Sequence, residues 1–202
     1  MLIHCNAKIF LFVILISTSV QTFALGEKIS KAAGSVTKSL GVSRTATEIN
    51  QDADAALAKL LKSTPVAVEL SKTAKGILIF PKILKAGLMV GGQHGEGALK
   101  KNNKTVAYYN TVAASYGLQA GAQSFSFVMF FMDNKSLEYL NASDGWEVGV
   151  GPSLVVVDEG MAKTMSSTTT TESVYVFTFS QGGLMAGAGI QGSKITQINP
   201  KN

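Results

Sequence analysis

The spacing of hydrophobic positions changes part-way along this chain, and the change separates two kinds of structure. In Glu27 to Leu40, the residues Ile29, Ala32, Ala33, Val36 and Leu40 fall on one helical stripe. Lys28, Lys31 and Lys38 lie away from it, and Gly41 is a natural stop. Thr45-Ala46-Thr47-Glu48 reads as a capping box that opens a second helix. That helix turns Ile49, Ala53, Ala56, Leu57, Leu60 and Leu61 inward, with Asp52 and Asp54 early and Lys59 and Lys62 late, as the helix dipole favours. A shorter third helix starts at Thr64-Pro65, with proline at its first position, and carries Val66, Val68 and Leu70 toward Lys72.

Beyond Ala74 the period shortens to two and the segments read as strands. Seventeen of the 20 glycines lie at or after Gly76. The expected strands are 76–80, 87–94, 97–100, 105–109, 115–123, 125–132, 146–150, 153–157, 174–180, 183–191 and 194–198. Asn102-Asn103 is a hairpin signal and Gln181-Gly182 a weaker one. Asp133 can cap one short helix, 134–140, with Leu137 and Leu140 inward. The run Ser166 to Thr171 is a low-complexity loop. The fold class expected is α+β: N-terminal helices followed by a mostly antiparallel, glycine-rich β-sheet or barrel-like sandwich.

Within this β region one pattern recurs three times: Gly87-Leu88-Met89-Val90-Gly91-Gly92, Gly117-Leu118-Gln119-Ala120-Gly121-Ala122 and Gly183-Leu184-Met185-Ala186-Gly187-Ala188. In a helix each interior glycine would cost about 0.8–1 kcal/mol relative to alanine. In a strand the same spacing puts two glycines on one face, where another backbone or a ligand can approach closely.

Composition adds a compartment and a charge. Residues 1–24 read as a secretory signal peptide: Lys8 precedes the apolar run Ile9 to Ile16, and Thr22-Phe23-Ala24 is a small-x-small cleavage site. An uncleaved anchor is the alternative, although the run is short of the ~20 residues a spanning helix needs. Cys5 lies inside this segment, so the mature chain is expected to hold no cysteine and no disulfide. A cysteine-free exported protein suits a periplasm, and the expected location is periplasmic or secreted, peripherally membrane-associated. Residues 25–45 then form a basic amphipathic segment and 46–202 the α+β domain. Charge is unevenly spread: residues 25–104 carry a net +7 and residues 105–202 a net −3. Such asymmetry suggests a face attracted to polyanions, with an ordinary lysine-coated surface as the plainer alternative.

Reactive chemistry is sparse. His94 is the one histidine after the signal segment, and it shares a strand face with Glu96. Two ligands at i and i+2 are too few to specify a metal site, and a polar pair at the sheet edge is the simpler reading. A hydrolase using His94 remains the weakest functional option. The glycines match neither phosphate-loop spacing. No enzyme activity, cofactor or metal is expected. Nucleic acid is disfavoured by export and by the lack of an aromatic–basic stacking face. Binding signals are better. Lys72, Lys75, Lys82 and Lys85 flank the apolar strand Ile77 to Phe80, and segment 27–40 is of the type that can lie in a membrane interface.

Four ordered blocks resemble the SYLF domain family, a lipid-binding domain of eukaryotic actin-patch and phosphoinositide-linked proteins and of many exported bacterial proteins. They are Ala74-Lys75-Gly76-Ile77-Leu78-Ile79-Phe80-Pro81 with Lys85-Ala86-Gly87; Gly91-Gly92 with Gly95-Glu96-Gly97; Tyr116 to Gln123; and Phe179 to Gly187. The resemblance spans about Gln51 to Ile198. Met185 stands where the family usually has an aromatic, and Gly182 where a polar residue is common. The resemblance implies phospholipid binding with a contribution from a basic N-terminal segment. The functional expectation is a non-enzymatic phospholipid-binding protein of the bacterial cell envelope, meeting anionic headgroups through Lys28, Lys31, Lys38, Lys72, Lys75, Lys82 and Lys85. The alternative is a structural module that binds another envelope protein through its glycine-faced strands.

Overall fold

A computed structural model divides the chain into residues 1–40 and 41–202. It describes residues 44–142, 146–147, 152–157, 172–183 and 193–201, with backbone alone at 87–90, 114–120, 146–147 and 183. The expected helix 27–40 and loop 166–171 lie outside the described residues.

Helix α1 spans Ala46–Ser63, and its capping box is complete: the Thr45 hydroxyl accepts from the Glu48 amide while the Glu48 carboxylate accepts from the Thr45 amide. Helix α2, Pro65–Thr73, begins on its proline, whose missing N–H costs nothing in the first turn. Helix α3, Asn134–Leu140, is capped by Asp133, whose carboxylate accepts from the Ser136 amide at 2.7 Å.

The strands are longer than their sequence suggests. Strand β1 runs unbroken through Gly76–Lys101 and β2 through Lys104–Phe131, so six expected strands merge into one hairpin. Pro81 and the glycines mark irregularities inside strands, not their ends. Register shifts occur between Phe80 and Ile83 and between Leu88 and Val90, and the first of these bulges accommodates the proline that a regular ladder would reject. The turn between the two strands is where the sequence puts it: Asn102 and Asn103 both have positive φ, 49° and 61°, as a two-residue hairpin turn of this hand requires.

The remaining strands are β3 (Trp146–Glu147), β4 (Leu154–Val157), β5 (Val174–Gly183) and β6 (Lys194–Ile198). Strand β2 pairs with β1 on one side and with β6 and then β5 on the other, all antiparallel. Strand β3 extends the sheet beyond β6, and β4 joins β5 as the parallel exception. Gln181-Gly182, expected as a turn, lies within β5. There the chain bulges against β2 between Ser124 and Ser126, with Ser180 at φ 57°. The fold class is α+β with a mostly antiparallel sheet.

Both faces of the sheet are buried. Strand alternation sends Ile79, Val128, Phe130, Tyr175 and Phe177 to one face, under α1 and α2, and Leu78, Phe80, Phe127, Met129, Phe131, Val174 and Val176 to the other. Among the described residues the second, inner face has no helical layer over most of its area; the hairpin covers it by folding onto itself. A Cβ placed on Gly97 would lie 2.3 Å from the Ile79 carbonyl oxygen and 2.7 Å from the Phe80 ring. Eighteen residues of straight strand would hold Gly97 and Ile79 about 60 Å apart, so β1 must turn back across its own first half. Leu137 and Leu140 of α3 pack against this inner core, and Tyr109 is tied to Asn141 by a 2.7 Å hydrogen bond.

Candidate functional site

The seven lysines of the expected binding set do not behave as one group. Lys28, Lys31 and Lys38 lie outside the described residues. Lys72 ends α2, Lys75 precedes β1 and Lys82 sits in the first bulge of β1, and all three are exposed. Lys72 is bridged to Glu69 at 2.7 Å with both side chains largely solvated, a pair that contributes about 0.5 kcal/mol or less and leaves the ammonium accessible. Lys72 and Lys75 lie within four residues of the start of β1, and Lys82 is seven residues beyond Lys75.

Lys85 does not stand on the open surface with them. From Ile83 the strand alternation is regular, so Lys85 points to the same inner face, and it is only 6% exposed. Directly opposite on β2 is Gln123, 5% exposed, whose Oε1 is buried without a hydrogen-bond partner. Gln93 and Thr111 are buried on the same face. Sequence reasoning placed Lys85 at a surface because it read Pro81 as the end of a strand; with the bulge taken into account, the period of two predicts an inward lysine. Gln93 and Gln123 were visible only as parts of glycine blocks.

A second polar group occupies the helix-facing side. His94 and Glu96 do share a face, as the sequence implies, and Asn110 lies opposite Glu96. Burial lowers the His94 pKa below its usual 6.5. Burial raises the Glu96 pKa above 4.5, opposed by the charge of Arg44 and by a hydrogen bond from the Arg44 backbone. Glu96 Oε2 and Asn110 Oδ1 are both buried without partners. No group of three or more metal-ligating side chains occurs among the described residues. Further along the same face, Lys100 is buried against Asp54, and Asn50 bonds both the Tyr108 hydroxyl and Thr105 at 2.8 Å. These contacts fasten α1 to the hairpin.

The glycine repeats meet each other in the hairpin. Gly87 of the first copy is paired with Gly121 of the second, and Gly91 with Ser115. Gly121 has φ 144°, a conformation that side-chain-bearing residues rarely adopt. The third copy begins with Gly183 opposite Gln123, and its remainder lies outside the described residues.

Residues 112–202 match the Ysc84 family model. That family is described as Las17-binding protein actin regulator. The match contains the last two of the four blocks that resemble the SYLF domain, and it supports that assignment from the middle of β2 onward. No curated protein matches the chain.

Proposed function

We propose that the protein is a non-enzymatic phospholipid-binding protein of the bacterial cell envelope that associates reversibly with anionic headgroups through its basic first half. The observation that carries this reading is the exposure of Lys72, Lys75 and Lys82, from the end of α2 to the first bulge of β1, in a chain whose second half matches a SYLF-type family. Lipid binding is the family property that exposed lysines can serve; Las17 and actin stay with the family description. Each lysine near an anionic surface contributes about 1 kcal/mol, so these three supply about 3 kcal/mol, and Lys28, Lys31 and Lys38 would roughly double it on the same surface. Attachment of that strength is reversible and sensitive to salt.

The test is co-sedimentation with vesicles of phosphatidylglycerol and phosphatidylcholine, compared with phosphatidylcholine alone, at low and high salt. Binding should require the anionic lipid and weaken with salt, and replacing Lys72, Lys75 and Lys82 by glutamate should reduce it sharply. Equal recovery with both vesicle types at low salt would sink the proposal. Cell fractionation with a C-terminal tag tests the envelope location, and a tag recovered in the cytoplasm would exclude it.

A further inference from the structure

We propose that Lys85, Gln93 and Gln123 form an interior binding site for a phosphate group that carries a neighbouring hydroxyl. The inner face of the folded hairpin is built in layers. Gly97 packs on Ile79 and Phe80, and Gly95 packs on Lys82 and Ile83: a Cβ on Gly95 would meet Ile83 Cγ1 at 2.8 Å and the Lys82 carbonyl at 3.1 Å. Each step of two residues back along β1 therefore advances the contact by about three residues on its first half. Continued at the same pitch, the next step would bring Gln93 to the level of Lys85. Across the ladder Lys85 faces Gln123, Gln93 faces Ala113 and Gly95 faces Thr111. An apolar core thus ends in a polar layer, with Lys85, Gln93 and Gln123 each less than 8% exposed.

Two features make this layer a binding site instead of a structural polar cluster. The first is an imbalance of partners. The fold also buries Lys100, and gives it Asp54. Among the described residues Lys85 has no carboxylate and no hydrogen-bond partner, and Gln123 Oε1 has none either. A buried carbonyl oxygen without a partner is costly unless a ligand supplies the missing donor, and the unpaired Lys85 ammonium across the ladder keeps some contact with solvent, where an anion can reach it. The second feature is access. Continuing along the inner face, the next positions include Gly87, its partner Gly121, and Gly91. None of these three has a side chain to close the end of the layer, and this gives the glycine repeats a role beyond shaping the strands.

The donor set defines the ligand. Lys85 offers a positive charge and up to three N–H donors, and each glutamine amide adds two donors and one acceptor. A phosphate takes the ammonium and amide donors, and an adjacent hydroxyl donates to Gln123 Oε1. A phosphoglycerol headgroup and free glycerol phosphate share this chemistry. The site does not depend on the surface attachment proposed above, because Lys72, Lys75 and Lys82 play no part in it.

The experiment is calorimetric titration of the purified full-length protein with glycerol 1-phosphate and with inorganic phosphate, followed by competition against phosphatidylglycerol vesicles. Glycerol 1-phosphate should bind, and more tightly than inorganic phosphate. Vesicles that compete identify a lipid headgroup as the source and vesicles that do not identify a free metabolite; either result supports the site. Lys85→Met, which removes the unpaired ammonium at similar volume, should fold and lose at least tenfold in affinity. Gln123→Glu places a carboxylate opposite Lys85, so it should unfold at a higher temperature without ligand and bind no phosphate. Replacing Lys72, Lys75 and Lys82 by glutamine should leave the titration unchanged while releasing vesicles. Absence of binding to either soluble phosphate, or Lys85→Met binding as the parent does, overturns the inference whatever the vesicle result.

Discussion

Replacing Gly97 by alanine tests the central feature of the fold, the return of β1 across its own first half. The added methyl would sit 2.3 Å from the Ile79 carbonyl oxygen, 2.7 Å from Phe80 Cδ1 and 3.0 Å from the Ile79 carbonyl carbon. Carbon–oxygen contacts ordinarily begin near about 3.3 Å, so the overlap is roughly 1 Å. The obstacle is mostly backbone, which cannot rotate away as a side-chain tip can. Overpacking of a filled core costs about 1–3 kcal/mol, and a rigid neighbour puts this site at the upper end, about 3 kcal/mol. For a domain of this size that lowers Tm by roughly 6–12 °C. Gly92 is the control, because a Cβ there meets nothing within 4 Å. Its replacement by alanine relieves the entropy of the unfolded chain and should stabilise by about 0.4–1 kcal/mol. Gly76 should fall between them, since its 2.9 Å contact is with the flexible end of Leu137. Urea unfolding followed by circular dichroism gives the series. If Gly97→Ala and Gly92→Ala unfold at the same midpoint, the two halves of β1 are not in contact and the inner layers described above are wrong.

Three further outcomes follow from local geometry. Thr45→Ala removes the half of the α1 capping box made by the threonine hydroxyl, leaving the Glu48 carboxylate on the backbone amide, and should cost about 1 kcal/mol in the same unfolding assay. Asn103→Ala forces a side chain without local hydrogen bonding into φ 61° and should cost about 1–2 kcal/mol, whereas Asn103→Gly should cost nothing. Glu96 and His94 give opposite pH dependences. Burial raises Glu96, so the native state holds a proton that the unfolded chain has released; that stability is complete below about pH 4.5 and lost as pH rises through the folded value. Glu96→Gln should abolish this loss and be relatively more stable at neutral pH. Burial lowers His94, so stability is complete above about pH 6.5 and lost as pH falls through the folded value, and His94→Gln should flatten that limb. Thermal melts across pH 4–8 measure both, and an unchanged profile in either variant refutes the corresponding assignment.

Short-range chemistry made much of the fold legible. The capping box at Thr45, the proline opening α2, the Asp133 cap and the Asn102-Asn103 turn act through neighbours within four residues, and the structure contains all of them. The lengths of β1 and β2 were not legible, because Pro81 and the glycines punctuate a sequence whether they end a strand or bulge it. Pairing partners decide between the two, and β2 supplies them along the whole of β1. For the same reason four lysines with similar local surroundings had different fates: Lys72, Lys75 and Lys82 stay exposed while Lys85 is buried.

The sequence by itself determined the order of helices and strands, the basic first half and the glycine-rich faces, since period, caps and charge are properties of a residue and its near neighbours. Only the tertiary structure decided which glycines are pressed against backbone, which lysine is enclosed, and that two glutamines thirty residues apart are buried on the same face as that lysine. Those facts depend on how a long hairpin folds across itself, and no local pattern encodes a contact between residues that a straight strand would hold tens of ångströms apart.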